Sequence, residues 1–418
     1  MHRVPFLFLL FALCGGLLRS EPLVILVSID GCRWDYPELH EAPFLKSLSR
    51  EGARLTRLTP SYPTKTFPNH YTLVTGLRPE SHGIIQNSFY DPEFDAWFGI
   101  GKHPSAREGR WWGGEPIWLT AQRQGLRTAC MFWPGTAADI LGARPDKWFP
   151  FDSDLPNEER VRRVLEWTAL SAAERPHFIT LYFEAVDSAG HSFGPDAPQT
   201  RAALQGIDRA LAGLRAGLKR QRVWESTHLI VTADHGMTYS DPAWSIVLDD
   251  LIDLADVQVI FAGSIGGLHV KRGDADALVA TLDAHPRLRA FRRDAVPERL
   301  HFSRSPRIPD IVLIPDLGWH IDTRSWLESN RNVDYGDHGY DPSEADMGAL
   351  FIARGPRIKP RLAPLPAVDN IHVYQLLCDL LEIEPAPNEG DNRLALMMLS
   401  RPPGSPETGQ TLLSAVKR

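Results

Sequence analysis

The chain has 418 residues, 43% of them hydrophobic and 23% charged, with 32 glycines and 34 prolines, which excludes an unfolded chain, a collagen-like repeat and a coiled coil. A formal charge of −7 excludes a nucleic-acid binder that works through a basic surface, and four cysteines in this length exclude a disulfide-held scaffold.

His2 and Arg3 open the chain, followed by the apolar run VPFLFLLFALCGGLL, which breaks at Arg19 and Ser20. That order is expected of a signal peptide over residues 1–20 and is too short for an ordinary membrane span. Cys14 leaves lipid attachment as an alternative, although Leu13 stands where a small residue is wanted. No later stretch approaches the 18 apolar residues of a membrane helix, so no transmembrane anchor is expected and the protein is read as secreted or periplasmic. Buried parallel strands are predicted at Leu23–Ile29, Thr128–Trp133, His177–Phe183, His228–Thr232 and Ile311–Ile314. Amphipathic helices are predicted between them, at Pro43–Glu51, Glu158–Leu170, Thr200–Arg220 and Asp274–Ala284. The alternation predicts an α/β fold, a mostly parallel central sheet with helices on both faces. Short β-like runs across about 240–325 suggest an inserted α/β subdomain within a main domain of 21–390, and 391–418 reads as a tail. Cys32, Cys130 and Cys378 permit at most one internal disulfide.

Polar residues gather where the apolar strands stop, and in an open α/β sheet ligands bind outside the carboxyl ends of the strands. Asp30 ends LVILVSID, and Asp234 and His235 end THLIVTAD and open HGM. In YFEAVDSAGHSFG, the four-residue spacing of Asp187 and His191 puts both on one face of a helical turn. His338 sits between Gly336 and Gly339 in YGDHGYDP. Thr66, in PTKTFPNHYTLVTG, stands near the start of a helix that Pro68 opens and that runs to about Thr75. Each has an ordinary alternative: a turn or capping role for Asp30 and Thr66, an Asp–His hydrogen bond for Asp187, a core histidine for His338. Jointly they supply enough oxygen and imidazole ligands for two divalent ions, the usual clamp for in-line phosphoryl displacement, with a hydroxyl beside them.

The ordered set SIDGCRWDY, PTKTFPNHYTLVTGLRPESHGIIQN, YFEAVDSAGHSFGP, TADHGM and DHGY resembles the ectonucleotide pyrophosphatase/phosphodiesterases of the alkaline phosphatase superfamily, over roughly Leu23 to Pro387. It is similar to the single catalytic domain of bacterial members, without the extra modules of the large animal ones. The resemblance implies an alkaline-phosphatase-like fold and two zinc ions per chain. One zinc would be held by Asp187, His191 and His338, the other by Asp30, Asp234 and His235, with Thr66 as a further ligand and the nucleophile. It implies that Asn87 donates to a phosphate oxygen and that Phe67 and Tyr182 line the nucleotide pocket, with core packing as the ordinary alternative for both aromatics. Phe151 offers a further stacking face. The implied reaction hydrolyses phosphodiester or pyrophosphate bonds of nucleotides through a nucleotidyl-threonine intermediate and releases a nucleoside 5′-monophosphate.

Small-molecule nucleotides are the expected partners; binding of a nucleic-acid polymer is not expected and no protein partner follows from the sequence. Phosphodiesters of choline or other phospholipid-like groups, and phosphomonoesters, are the alternative substrates. Phe67 rather than an arginine follows the threonine, which suits an esterified phosphate better than a doubly charged one. Lys65 is expected to point to solvent, Arg78 to sit in a turn before Pro79, and His70, His82 and His103 to be structural or surface residues. Trp111 and Trp112 are read as loop packing, and GSIGG as a flexible turn. Neither a P-loop nor a G-x-S-x-G motif is present.

Overall fold

The computed structural model describes residues 22–100, 103–241, 243–329 and 334–400. The expected signal segment, Cys14 and the last part of the expected tail lie outside the described residues.

Every residue of Leu23–Ile29 is buried. Successive strand side chains point to opposite faces, so an unbroken buried run requires cover on both. This strand lies mid-sheet, parallel to Phe178–Phe183 on one side and Thr227–Thr232 on the other. Thr128–Met131 and Lys147–Trp148 extend the parallel part beyond Phe178–Phe183. Beyond Thr227–Thr232 the sheet turns antiparallel, with Phe351–Arg354 and then Ala53–Arg54 completing seven strands. Helix Pro198–Arg220 buries Leu204, Ile207, Leu211, Leu214 and Leu218, the three- and four-residue spacing of an inward stripe.

Ile311–Pro315 corrects one expectation. It is antiparallel and belongs to a separate four-stranded sheet, between Gly266–Val270 and Leu288–Arg292, with Val257–Phe261 on the outer edge. A short apolar run reports burial but not the direction of its neighbours, so the sequence reads alike in either sheet. This sheet has its own core of Val257, Leu268, Leu282, Leu288, Ile311 and Leu313.

Cys32, Cys130 and Cys378 are buried free thiols. No helix among the described residues is long and apolar enough to cross a membrane. Because Leu23–Ile29, Phe178–Phe183 and Thr227–Thr232 run the same way, their carboxyl ends meet at one edge of the sheet, and Asp30 N–H donates to Phe183 C=O there at 2.9 Å.

Candidate active site

Asp30 follows the first strand, Asp234 and His235 follow Thr227–Thr232, and Asp187 and His191 lie on helix Ala185–Phe193, which begins two residues past Phe183. His338 arrives from a distant loop. Asp187, His191 and His338 offer ligand atoms within 4.8 Å of one another, as do Asp30, Asp187 and His235. Gly31 makes the closeness possible: its φ is +68°, and a Cβ there would lie 3.0 Å from the Asp187 backbone and carboxylate.

The three imidazoles share one orientation. Nδ1 of His191 donates to Gly336 C=O at 2.8 Å, that of His235 to Gly236 C=O at 2.9 Å, and that of His338 to Thr64 C=O at 2.7 Å. A neutral ring that donates from Nδ1 keeps a lone pair on Nε2. Those Nε2 atoms face carboxylate oxygens, at 3.5 Å for His191 and 3.6 Å for His338 against Asp187, and 2.9 Å for His235 against Asp234. Lone pair against carboxylate is repulsive unless a proton or a cation lies between. Asp30 Oδ1 and Asp187 Oδ1 are buried and accept no hydrogen bond, although buried polar atoms are nearly always paired. Imidazole nitrogen and carboxylate oxygen together fit a divalent metal.

In the metal-free chain a proton stands where a cation would at His235: burial would lower its pKa, but Asp234 outweighs burial and raises it. Burial, then the neighbouring Asp234 and Asp187, push the Asp30 carboxyl well above its ordinary range. Burial would raise Asp234 too, but His235 and His70 outweigh it and hold that carboxyl well below the usual range. Burial, with His235, Lys65 and His191 nearby, drives His338 well below the usual histidine value, which keeps its ring neutral and able to ligate.

Thr66 opens helix Thr66–Thr75, with Lys65 at the cap position, and its Oγ1 lies 3.4 Å from His235 Nε2. Phe67 N–H donates to Asn87 Oδ1 at 2.9 Å, which fixes the amide so that its NH2 remains available at the cavity it lines. Tyr182 also lines that cavity and donates its hydroxyl to Asp30 Oδ2 at 2.6 Å.

The cavity holds about 880 Å³ and connects Asp30, Thr66, Asp187, His191 and His338 with an aromatic recess. Its two aromatic walls are braced separately. Phe67 rests against Phe98 and Trp112, with centroids 6.3 and 6.0 Å away, and Phe151 rests against Phe132 and Tyr182 at 5.2 and 5.8 Å. Trp111 and Trp112 are buried in this packing.

Every residue the sequence singled out as a ligand, with Thr66, Asn87, Phe67 and Tyr182, is brought to this edge of the sheet. One neighbour was read wrongly. Lys65 does not point to solvent: its side chain is 15% exposed and its Nζ lies 3.1 Å from Asp337 Oδ1. His70 is a buried structural histidine, as expected, set directly behind the site. Its Nδ1 faces Thr66 C=O at 2.9 Å and Asp234 Oδ2 at 3.2 Å, so that nitrogen carries the proton, and Nε2 accepts from Ser28 Oγ at 2.8 Å. Thr66 and His70 are four apart on one helix, a spacing that puts them on one face.

A family profile described as type I phosphodiesterase / nucleotide pyrophosphatase matches residues 24–341. The chain is 36% identical to human ectonucleotide pyrophosphatase/phosphodiesterase family member 1 over 405 residues, covering 93% of this chain and 43% of that protein. It is 35% identical to human family member 5 over 404 residues, covering 95% of this chain and 83% of that protein. The structure of murine family member 5, an inactive threonine-to-alanine variant in complex with AMP, superposes with a TM-score of 0.85 at 33% identity, covering 91% of this chain and all of that one. On the profile, the identities and the shared fold, the chain belongs to the type I phosphodiesterase / nucleotide pyrophosphatase family.

Proposed function

We propose that the chain is a hydrolase that cleaves phosphodiester and pyrophosphate bonds of nucleotides and releases a nucleoside 5′-monophosphate, with two zinc ions held by the carboxylates and imidazoles at the sheet edge. The observation that carries this reading is the set of Nε2 lone pairs turned onto unpaired carboxylate oxygens beside Thr66 Oγ1. Asp187, His191 and His338 would hold one ion, and Asp30, Asp234 and His235 the other with Thr66. When bound, the ions lower the pKa of the threonine hydroxyl and offset charge on the equatorial and leaving oxygens.

The remaining steps belong to the chain's own side chains. Thr66 Oγ1 forms a bond to phosphorus as the bond to the leaving oxygen breaks in line, and water then displaces the threonine oxygen. Two inversions give net retention at phosphorus. The Asn87 NH2, held by the Phe67 N–H on its other atom, donates to a phosphate oxygen. Phe67 and Phe151 offer flat faces for the base, and Tyr182 holds Asp30 in place through its hydroxyl. The inactive threonine-to-alanine variant of the murine relative, with AMP bound, supports the roles given to Thr66 and to a 5′-nucleotide.

No arginine adjoins Thr66, which favours diesters over monoesters. A choline-type substrate would want carboxylates among the rings; Glu184 on the cavity wall is held by Arg160 at 2.8 Å, which leaves Asp152 beside Phe151 as the group that could meet a quaternary ammonium. We further assign 21–390 as the catalytic domain, with its insertion at about 240–325, secreted or periplasmic.

Thymidine 5′-monophosphate p-nitrophenyl ester tests the reading against p-nitrophenyl phosphate. The ester is expected to be the better substrate by kcat/KM, chelation to abolish turnover and zinc to restore it. Thr66→Ala is expected to lose turnover; an unchanged rate in that variant rejects the mechanism.

A further inference from the structure

Thr64 and Lys65 lead into helix Thr66–Thr75, and His338 and Gly339 follow the short strand Gly336–Asp337. Four contacts staple them together: Gly339 N–H donates to Thr64 Oγ1 at 2.8 Å, Thr64 Oγ1 donates to Tyr340 C=O at 3.0 Å, His338 Nδ1 donates to Thr64 C=O at 2.7 Å, and Lys65 Nζ reaches Asp337 Oδ1 at 3.1 Å. The Asp337 carboxylate has three partners among the described residues. Its Oδ1 also accepts from His338 N–H at 2.7 Å, and its Oδ2 faces His320 Nε2 at 3.1 Å. His320 opens strand His320–Asp322, which pairs with Ser245–Val247 rather than with the central sheet.

Stability alone does not account for this pair. A buried ammonium and carboxylate cost several kcal/mol each to desolvate, and apolar replacements of such pairs are often neutral. The path of Lys65 is also narrow. A Cβ at position 339 would lie 2.5 Å from Lys65 Cε, so the bare backbone of Gly339, at φ +121°, is what lets the side chain cross. Lys65 does not line the cavity, and its ammonium is turned onto Asp337 rather than toward the substrate.

We propose that Lys65 is a positioning residue: through Asp337, with His320 behind, it fixes Thr66 Oγ1 relative to His338 and sets the rate of the chemical step without touching substrate. The inference rests on the hydrolase reading above. An error of about 1 Å in a reacting group costs up to about a hundredfold in rate.

The test compares the wild-type enzyme with K65M, K65Q, D337N and the K65M/D337N double variant. The readouts are kcat and KM on the thymidine ester, metal-to-protein ratio by elemental analysis, and Tm. Lys65 variants and D337N are expected to lose about tenfold to a hundredfold in kcat, with KM within about twofold and the wild-type metal ratio. The double variant is expected to be no slower than the slower single variant, because groups acting as a unit are not additive. K65Q carries the comparison if K65M does not fold. Wild-type kcat in a fully loaded Lys65 variant, a loss that tracks the metal ratio or Tm, or losses that multiply in the double variant each overturn the assignment. A wild-type enzyme inactive on the ester rejects the hydrolase reading itself, whereas an active one matched by its Lys65 variants rejects only the role of Lys65.

Discussion

Asn87 is committed by its neighbour. The Phe67 N–H can only donate, so it selects the amide oxygen and leaves the NH2 facing the cavity. Asn87→Asp keeps the bond to Phe67 and removes the donor, while Asn87→Ala removes both. Each is expected to lower kcat by about a hundredfold, the usual effect of losing a donor to developing negative charge. A thermal melt run beside the kinetics should show Tm nearly unchanged for Asn87→Asp, and a loss that follows unfolding instead would assign the residue to the fold. Gly31→Ala is expected to lower the metal-to-protein ratio, because its Cβ would meet Asp187 at 3.0 Å in a left-handed backbone. At this scale the acids at strand ends were legible jointly rather than singly, since each alone has a turn or hydrogen-bonding role open to it and only the ordered set points to a shared site. The directions of Lys65 and His70 were not. Lys65 depends on a carboxylate 272 residues away, and the surroundings of His70 depend on Ser28 and Asp234.

Helix Thr66–Thr75 is braced from outside by His82, whose Nε2 faces Pro68 C=O at 3.2 Å and Thr72 Oγ1 at 3.1 Å while Nδ1 accepts from Ile84 N–H at 3.1 Å. Both nitrogens are used by the neutral ring, and burial lowers the pKa from 6.5 to about 3. Between those values the unfolded chain binds a proton that the folded chain refuses, so stability rises with pH. This contribution is fully present above 6.5 and is lost as pH falls toward 3. His228, lowered by burial to about 4, acts in the same direction. Tm is expected to fall as the pH is lowered through this window, with a shallower slope for His82→Asn; equal slopes in the two proteins would count against it. Four strands of the central sheet were legible from apolar runs, whereas Ala53–Arg54, Lys147–Trp148 and Phe351–Arg354, each four residues or fewer, were not. Ile311–Pro315 was misplaced because pairing direction is set by partners such as Leu288–Arg292, not by its own residues.

At the scale of the whole molecule, Cys32, Cys130 and Cys378 are, among the described residues, buried thiols outside any disulfide. Burial raises Cys130 and Cys378 to about 12 and Cys32 further still, so little thiolate exists at neutral pH. Thiol reagents are expected to modify these three only after denaturation, and reductant to leave Tm unchanged; prompt labelling of the native protein would refute the packing. The α/β architecture was legible from the alternation of elements. That His320, outside the central sheet, reaches the Lys65–Asp337 pair was not, because no local pattern reports it.

The proposed ligands are strung along the chain from Asp30 to His338, and that spread orders events during synthesis. Once residue 235 has emerged, Asp30, Asp234 and His235 all exist, whereas Asp187 and His191 must wait for His338. A growing polypeptide acquires one complete ligand trio well before the other. A fragment released in between lacks not only His338 but also Leu350 and Met347, whose carbonyls accept from the Ala233 and Gly236 amides on either side of Asp234 and His235, so neither trio is fixed in place until the chain is nearly complete.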